Sequence, residues 1–309
     1  MTTALITGVS GFVGQTIRDY LTSNKITVFG FDARALAQNH IFKGDITNHQ
    51  NLLNVLEESK PDIIFHLAGI LKSEEMENFY NVHVLGTSAL LEAVMEMGLQ
   101  PRVMVFSSSA VYGTGMGPKP ITETFQAKPV SHYAASKLAQ ETVALRYFNA
   151  FDLPVLCVRT FNLVGPNLSS QLAPSAFARQ IAQAERIGKP AQVFTGDLSA
   201  QRDYVDVRDA VRAYALIAEH GAPGQVYNVC SEQAFSMSEI LQMLMAQSKV
   251  PIKAVLDPSR VQQQDVPVQI GSAKKIRQLT GWKPQINIKQ SLADLLDNWR
   301  EKIDQETTQ

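Results

Sequence analysis

The sequence predicts a doubly wound parallel α/β sheet with a smaller α/β region packed at its open end. Three observations carry this. Short apolar strands alternate with helical stretches through the first half, a glycine-rich turn joins the first strand to the first helix, and after Gly165-Pro166 short helical pieces are broken repeatedly by proline. Its 309 residues also exceed the usual domain length of about 150, so two associated units are expected.

Taken in order, Thr3 to Ile6 reads as a short buried strand and Val13 to Leu21 as a helix. Ile26 to Phe31 is again strand-like, a third strand precedes Gly44-Asp45, and Asn51 to Glu58 is helical. Ile63-Ile64-Phe65 forms the next strand. A helix over Phe79 to Met97, a strand over Arg102 to Phe106, a helix over Tyr133 to Asn149 and a strand over Val155 to Val158 complete the alternation, which implies parallel βαβ units. Beyond Pro166, helices are expected over Ala176 to Arg186, Arg208 to Ala218, Ser238 to Ala246 and Lys289 to Arg300, with a strand over Gln225 to Val229. The helix at 208 and the strand at 225 continue the βα pattern. The division is therefore residues 1–162 with 203–231 returning to them, and residues 163–202 with 232–309 as the second unit.

Composition excludes several classes. Hydrophobic residues make up 45% and charged residues 18%, enough apolar surface for a full core and too little charge for a disordered chain. Lys and Arg number 28 against 29 Asp and Glu, so no broad basic field is offered to nucleic acid or to a membrane surface. No apolar run approaches the ~20 residues of a membrane helix. Cys157 and Cys230 lie far apart in apolar contexts, which suggests buried thiols of a reducing, cytoplasmic compartment; neither a disulfide nor a metal site is indicated. The start of the chain reads as the first strand of the fold, with no basic residue before Arg18 to suggest a signal segment.

Gly8, Gly11 and Gly14 follow the first strand with G-x-x-G-x-x-G spacing, enclosing Phe12 and Val13 at the helix start. Glycines there allow a tight turn and a close approach of backbone amides to a pyrophosphate at the positive end of the helix. Together with Asp32 at the end of the second strand, the arrangement is that of a Rossmann dinucleotide site. A carboxylate at position 32 accepts from ribose hydroxyls and repels a 2′-phosphate, which tips the choice slightly to NAD(H); Arg34 could bind that phosphate and keeps NADP(H) open. Asp45-Ile46 fits an adenine-side contact or a plain strand-to-helix turn equally well.

Tyr133 and Lys137 stand four apart at a helix start and so share a face. A phenol with a pKa of ~10 exchanges protons near neutral pH only if its anion is stabilised by about 4 kcal/mol, and a neighbouring ammonium helps supply this. Ser107-Ser108-Ser109 end the strand from Arg102, where ligands of open α/β sheets bind.

With His66-Leu67-Ala68-Gly69, Asn81 before Gly86-Thr87, and Val111-Tyr112-Gly113, these motifs make the whole chain resemble the extended short-chain dehydrogenase/reductases that act on nucleotide sugars. The resemblance implies that Ser108 holds the reacting oxygen, Tyr133 transfers the proton, and Lys137 tunes Tyr133 and holds the nicotinamide ribose. It also implies that Leu67, Ala68 and Gly69 flank the cofactor, that Ser109 neighbours the substrate, and that Asn81 is structural or part of a water relay. Dehydratases of this group carry an acid just after the serine, where this chain has Ser109-Ala110. The motifs Arg159 to Pro166, Arg202 to Asp209, Val226 to Ser231, Gly271-Ser272, Thr280 to Pro284 and Lys289 to Leu292 resemble the bacterial branch that reduces GDP-4-keto-6-deoxymannose to GDP-rhamnose with NAD(P)H, in polysaccharide biosynthesis.

By position in that branch, Asn162 would bond the substrate's phosphate or sugar. Arg202 would grip the diphosphate, unless it merely pairs with Asp203 or Asp206. Gln262 stands where the branch has an arginine before the acid of Asp265-Val266-Pro267, and Arg260 is the nearby substitute. The leading expectation is thus a nucleotide-sugar 4-ketoreductase. A 4-epimerase keeping tightly bound NAD is the alternative within the group, and a non-catalytic dinucleotide sensor the alternative outside it. A homodimer through the Tyr133 helix and its predecessor follows from the resemblance, with Leu138, Val143, Tyr147, Leu90 and Val94 facing either a partner or the sheet.

Overall fold

A computed structural model describes residues 2–36, 38–114, 117, 119–261 and 267–306. Strand β1 (Thr3–Thr7) leads into α1 (Phe12–Ser23), β2 (Thr27–Asp32), β3 (Ile41–Lys43), α2 (His49–Ser59) and β4 (Ile63–His66). Next come α3 (Met76–Tyr80), a π-helical turn (Asn81–Leu85), α4 (Gly86–Glu96), β5 (Arg102–Ser108), α5 (His132–Phe151) and β6 (Val155–Thr160). The second half adds β7 (Asn162–Val164), α6 (Ala173–Ile187), β8 (Ala191–Thr195), β9 (Gln201–Asp206), α7 (Val207–His220), β10 (Val226–Val229), β11 (Ala234–Ser236), α8 (Met237–Met245), β12 (Ile252–Leu256), β13 (Val268–Gln269), α9 (Lys274–Thr280) and α10 (Ile288–Glu306).

Seven strands form one parallel sheet in the order β10-β6-β5-β4-β1-β2-β3. Ala4, Leu5 and Ile6 are fully buried, as expected of a strand covered on both faces. One apolar layer is built from Ile17 and Leu21 of α1, Tyr214 and Ile217 of α7 and Ile276 of α9; the opposite layer contains Leu52 and Leu56 of α2, Leu90 and Val94 of α4 and Tyr147 of α5. Leu90, Val94 and Tyr147 are core residues that face the sheet, and Leu138 and Val143 are partly buried against the same clusters.

The predicted helix Phe79 to Met97 is one continuous path with a π turn in it. The wider turn brings the His83 side chain inside, and Gly86 packs on Ile46, whose Cγ2 would lie 2.7 Å from a Cβ at position 86. Beyond β6 the chain leaves the large sheet. A separate sheet runs β11-β9-β13 with β7 on β9, β8 pairs with β12, and α6, α8 and α10 enclose a third core around Phe177, Leu241 and Leu296. Strand β10 and helix α7 return to the large sheet and its α1 face. None of the described helices is long and apolar enough to cross a membrane.

Candidate active site

The chain runs outward from β1 through β2 and β3, then crosses to β4 on the other side of β1, which opens a crevice at the strands' carboxyl ends. There a cavity of about 590 Å³ is lined by Gly8, Gly11, Phe12, Val13, Gly14, Leu67 and Gly69 from the first half and by Asn162, Arg202, Tyr204 and Gln269 from the second. Phe12 also packs on the third core, tying the glycine turn to the second half.

The turn fits a dinucleotide. Gly8 has φ +76°, and a Cβ there would sit 2.8 Å from the Ala68 amide nitrogen; at Gly14 it would sit 2.2 Å from the Gly8 carbonyl oxygen. Gly11 caps α1 without a side-chain oxygen, so the first-turn amides are left for an anion. Ser107 Oγ, buried in the same cavity without a hydrogen-bond partner, is a further group that awaits a ligand.

Asp32 ends β2 nearly buried. Its Oδ2 accepts from Ser10 N–H at 3.0 Å and its Oδ1 from Arg34 N–H at 2.8 Å, while the exposed Arg34 guanidinium stands 3.9 Å away. Asp45 Oδ1 accepts from the amide and hydroxyl of Thr47, each at 2.8 Å, and Ile46 is buried under Gly86. Of the two readings of this pair the turn is the one built, and neither residue lines the cavity.

Ser108 Oγ accepts from Ala110 N–H at 3.2 Å and hydrogen-bonds Tyr133. Ser131 caps α5 and so fixes where Tyr133 and Lys137 emerge. Burial pushes the Tyr133 phenol up, with the Ser108 hydrogen bond opposing. Lys137 is buried, and Nζ donates to Phe106 O at 2.6 Å and Gln140 Oε1 at 2.7 Å. Burial lowers Lys137 to about 7, with the charge of Glu141 opposing. Glu141 itself is held by a buried ion pair with Arg159 at 2.7 Å, and Arg159 also bonds Tyr112 Oη at 3.1 Å. Tyr112 therefore belongs to the scaffold beneath the site.

The remaining predicted site residues fall both inside and outside the cavity. Asn81 is exposed and outside the cavity; His83, two residues on, lines it and packs edge-on to Tyr133 with ring centroids 5.8 Å apart. The Ser109 hydroxyl is committed to Gln269 Oε1 at 3.0 Å, so Ser109 joins the two halves as well as lining the cavity. Arg260 donates to Asp257 at 3.0 Å and to Phe194 O at 3.1 Å, away from the cavity. Asp203 and Asp206 act as internal staples: Asp203 accepts from the amides of Ser231, Glu232 and Gly271, and Asp206 from Ser291 and Arg208. Gln262, Asp265 and Val266 lie outside the described residues. Asn162 reaches the cavity and donates to Asp203 O at 3.2 Å. Arg202 and Lys72 are cationic side chains in the lining besides Lys137, and among the described residues no Asp or Glu lines it.

Fold, glycine cradle and the Ser108–Tyr133–Lys137 cluster define an oxidoreductase of the extended short-chain dehydrogenase/reductase class. The chain belongs to the GDP-mannose 4,6 dehydratase family, whose match spans residues 5–295. It is 33% identical over 306 residues to the GDP-6-deoxy-D-mannose reductase of Pseudomonas aeruginosa, covering 97% of this chain and 98% of that one. It is 29% identical to a UDP-glucose 4-epimerase of Mycolicibacterium smegmatis, covering 96% and 98%. The solved structure of RMD from Pseudomonas aeruginosa complexed with NADPH superposes with a TM-score of 0.87 at 30% identity, covering 98% of this chain and 100% of that one.

Proposed function

We propose that this protein is a nucleotide-sugar 4-ketoreductase that uses NAD(P)H to convert GDP-4-dehydro-6-deoxy-D-mannose to GDP-D-rhamnose. The observation that carries the reading is the cavity lining: serine, tyrosine and lysine converge there without a carboxylate among the described residues. Elimination of water from a sugar needs an added acid and base, whereas carbonyl reduction needs one proton donor. The family match alone would admit either chemistry, and the reductase relative agrees with the second.

A nicotinamide cofactor held by the Gly8–Gly14 turn would supply hydride to the carbonyl carbon. Tyr133, held as a phenol by burial, is in the form that donates a proton to the carbonyl oxygen, and Ser108 hydrogen-bonds the same oxygen. The Lys137 ammonium stabilises the resulting phenolate and holds the ribose. Arg202 grips the diphosphate through a charged planar fork, and Asn162 bonds the sugar or phosphate beside it. Asp32 favours NAD(H) slightly, while Arg34 keeps NADP(H) within reach, consistent with the NADPH in the Pseudomonas aeruginosa structure. The working unit is a cytoplasmic homodimer, joined across the outer faces of α4 and α5, beside which Leu85 of the π turn and Phe151 at the end of α5 are exposed. The first 162 residues, with 203–231, carry the cofactor, and the rest carries the sugar nucleotide.

Incubation of the purified protein with the GDP-keto-sugar and reduced cofactor tests the reaction. Reduced-nicotinamide absorbance is expected to fall by one equivalent per sugar converted. Inversion at C4 of a nucleotide hexose that carries a C4 hydroxyl, by the NAD-loaded protein and without net change in absorbance, would instead establish the 4-epimerase reading, which Asp32 also suits.

A further inference from the structure

A buried string of hydrogen bonds runs from the cofactor turn to Lys137, and its protons can be assigned one by one. Thr87 Oγ1 contacts His83 O at 2.6 Å, Gln140 Nε2 at 2.8 Å and His66 Nε2 at 2.8 Å. A carbonyl only accepts, so the single hydroxyl proton of Thr87 goes to His83 O, and both nitrogens must donate to Thr87. Gln140 therefore turns its Nε2 to Thr87 and its Oε1 to Lys137. His66 carries its proton on Nε2, and its Nδ1 accepts from Thr7 Oγ1 at 2.8 Å. Thr7 Oγ1 in turn accepts from Ala68 N–H at 3.1 Å, in the turn behind Gly8. His66, Thr87 and Gln140 are all fully buried, so reversing any one of them would leave a polar group unpaired out of reach of water.

We propose that Gln140 is the positioning residue that aims the Lys137 ammonium into the cavity, and that Thr87 and His66 lock its amide in the only orientation that can do so. With two hydrogens of Nζ directed at Phe106 O and Gln140 Oε1, the third is left for the cavity beside Tyr133. A neutral acceptor does this without a counter-charge. Glu141 on the same helix is paired with Arg159 of β6, and burial keeps Cys157 a thiol. His66 and His83 are held neutral by burial and by the Lys137 charge, and Tyr133 by burial. Glu141 favours the ammonium from a distance, across its pair with Arg159, and Gln140 is the side chain that contacts the ammonium directly. The inference rests on the reading of Lys137 as part of the reductase site.

The test reads Lys137 directly, by pH-dependent competitive acylation of its amine in the cofactor-free protein, quantified by peptide mass spectrometry. Gln140→Leu is expected to lower the Lys137 midpoint by about one pH unit and Gln140→Glu to raise it by about as much. Thr87→Val, which frees the amide to flip, should lower it by less, and Thr87→Ser should restore it. Because the ammonium is lost as pH rises, the alkaline limb of kcat/KM should move with each midpoint, with kcat at neutral pH down about tenfold in Gln140→Leu and KM for the sugar little changed. Midpoints unmoved in Gln140→Leu and Gln140→Glu, or moved in the same direction, would overturn the proposal. Should Gln140→Leu fail to fold, the Glu and Thr87 variants decide it. A wild-type protein that fails to consume reduced cofactor would count against the reductase reading alone, since the acylation midpoints need no turnover.

Discussion

The two halves of the crevice hold their polar groups by opposite means. On the cofactor side, around Lys137 and the buried Glu141–Arg159 pair, most groups are backbone and uncharged side chains: Gly8, Gly11 and Gly14, strand ends, and the neutral string through Thr7, His66, Thr87 and Gln140. Where β9 and α7 join the two halves, buried carboxylates pin distant segments. Asp203 grips residues 231, 232 and 271, Asp206 holds Ser291 and Arg208, and Asp209 takes the amides of Gln285 and Ile286 at 2.8 and 2.7 Å with Arg212 at 2.6 Å. Both arrangements join residues far apart in the sequence; the first aims groups at a ligand, and the second assembles the wall around it.

The contrast breaks most sharply under a pair of substitutions. Tyr133→Phe removes the one proton donor and should cut kcat by about 10²–10⁴-fold, with melting temperature and cofactor affinity close to wild type. Retained turnover would refute the catalytic assignment. Asp209→Ala should do the reverse, costing about 3 kcal/mol in denaturant unfolding because two amides and a guanidinium lose their acceptor, while kcat of the folded fraction stays within about twofold.

The same contrast explains what could be read from the sequence. Gly8, Gly11, Gly14, Asp32, Ser107 to Ser109 and the Tyr133–Lys137 pair are set by short spacings in the sequence, and the structure brings all but Asp32 into the lining of one cavity. His83 was hidden because a π turn, invisible to a 3.6-residue period, rotates it inward where Asn81 seemed to be the motif residue. Gln269 was hidden because its role depends on a contact with Ser109, 160 residues away. In Arg202 to Asp209 the motif offered Arg202 to a diphosphate, with Asp203 or Asp206 as possible partners for it, and Asp203, Asp206, Arg208 and Asp209 are all spent inside the fold. The short strands β7, β8, β9 and β11 to β13 exist through pairing with one another, which local pattern does not report.

Acid should separate the halves. Burial, with the Lys137 charge, lowers His66 to about 3 and His83 to about 2. Both bind a proton in the unfolded chain below about pH 6.5 but not in the fold, so their contribution is full above that pH and lost as pH falls toward 3. One unit below 6.5 each costs about 1.4 kcal/mol. On the sugar side burial would raise Glu185, yet Arg300 at 2.6 Å and the Lys249 amide hold its carboxyl below the usual range, so that contribution persists until pH falls below about 4. Hydrogen exchange at pH 5.5 should therefore show β4, the π turn and α4 losing protection before α6 and α10. His83→Gln should flatten the loss between pH 6.5 and 5.5; equal loosening of both halves would contradict the division.

The smallest effects discriminate between two arginines that the sequence alone treats alike. Arg202 lines the cavity from β9, one residue before the Asp203 staple, so its guanidinium is carried on the strand that the carboxylates lock in place. Arg260 follows β12, and its guanidinium is occupied by Asp257 and the Phe194 carbonyl on the exposed β8–β12 ribbon. Loss of a diphosphate contact should raise KM for the sugar nucleotide about 10- to 100-fold in Arg202→Ala, with cofactor affinity unaffected. Arg260→Ala removes only a half-exposed ion pair and should leave KM within about twofold. Equal effects at the two positions would mean that the sugar nucleotide extends along β12, beyond the cavity, and that the wall built by Asp203, Asp206 and Asp209 does not bound the site.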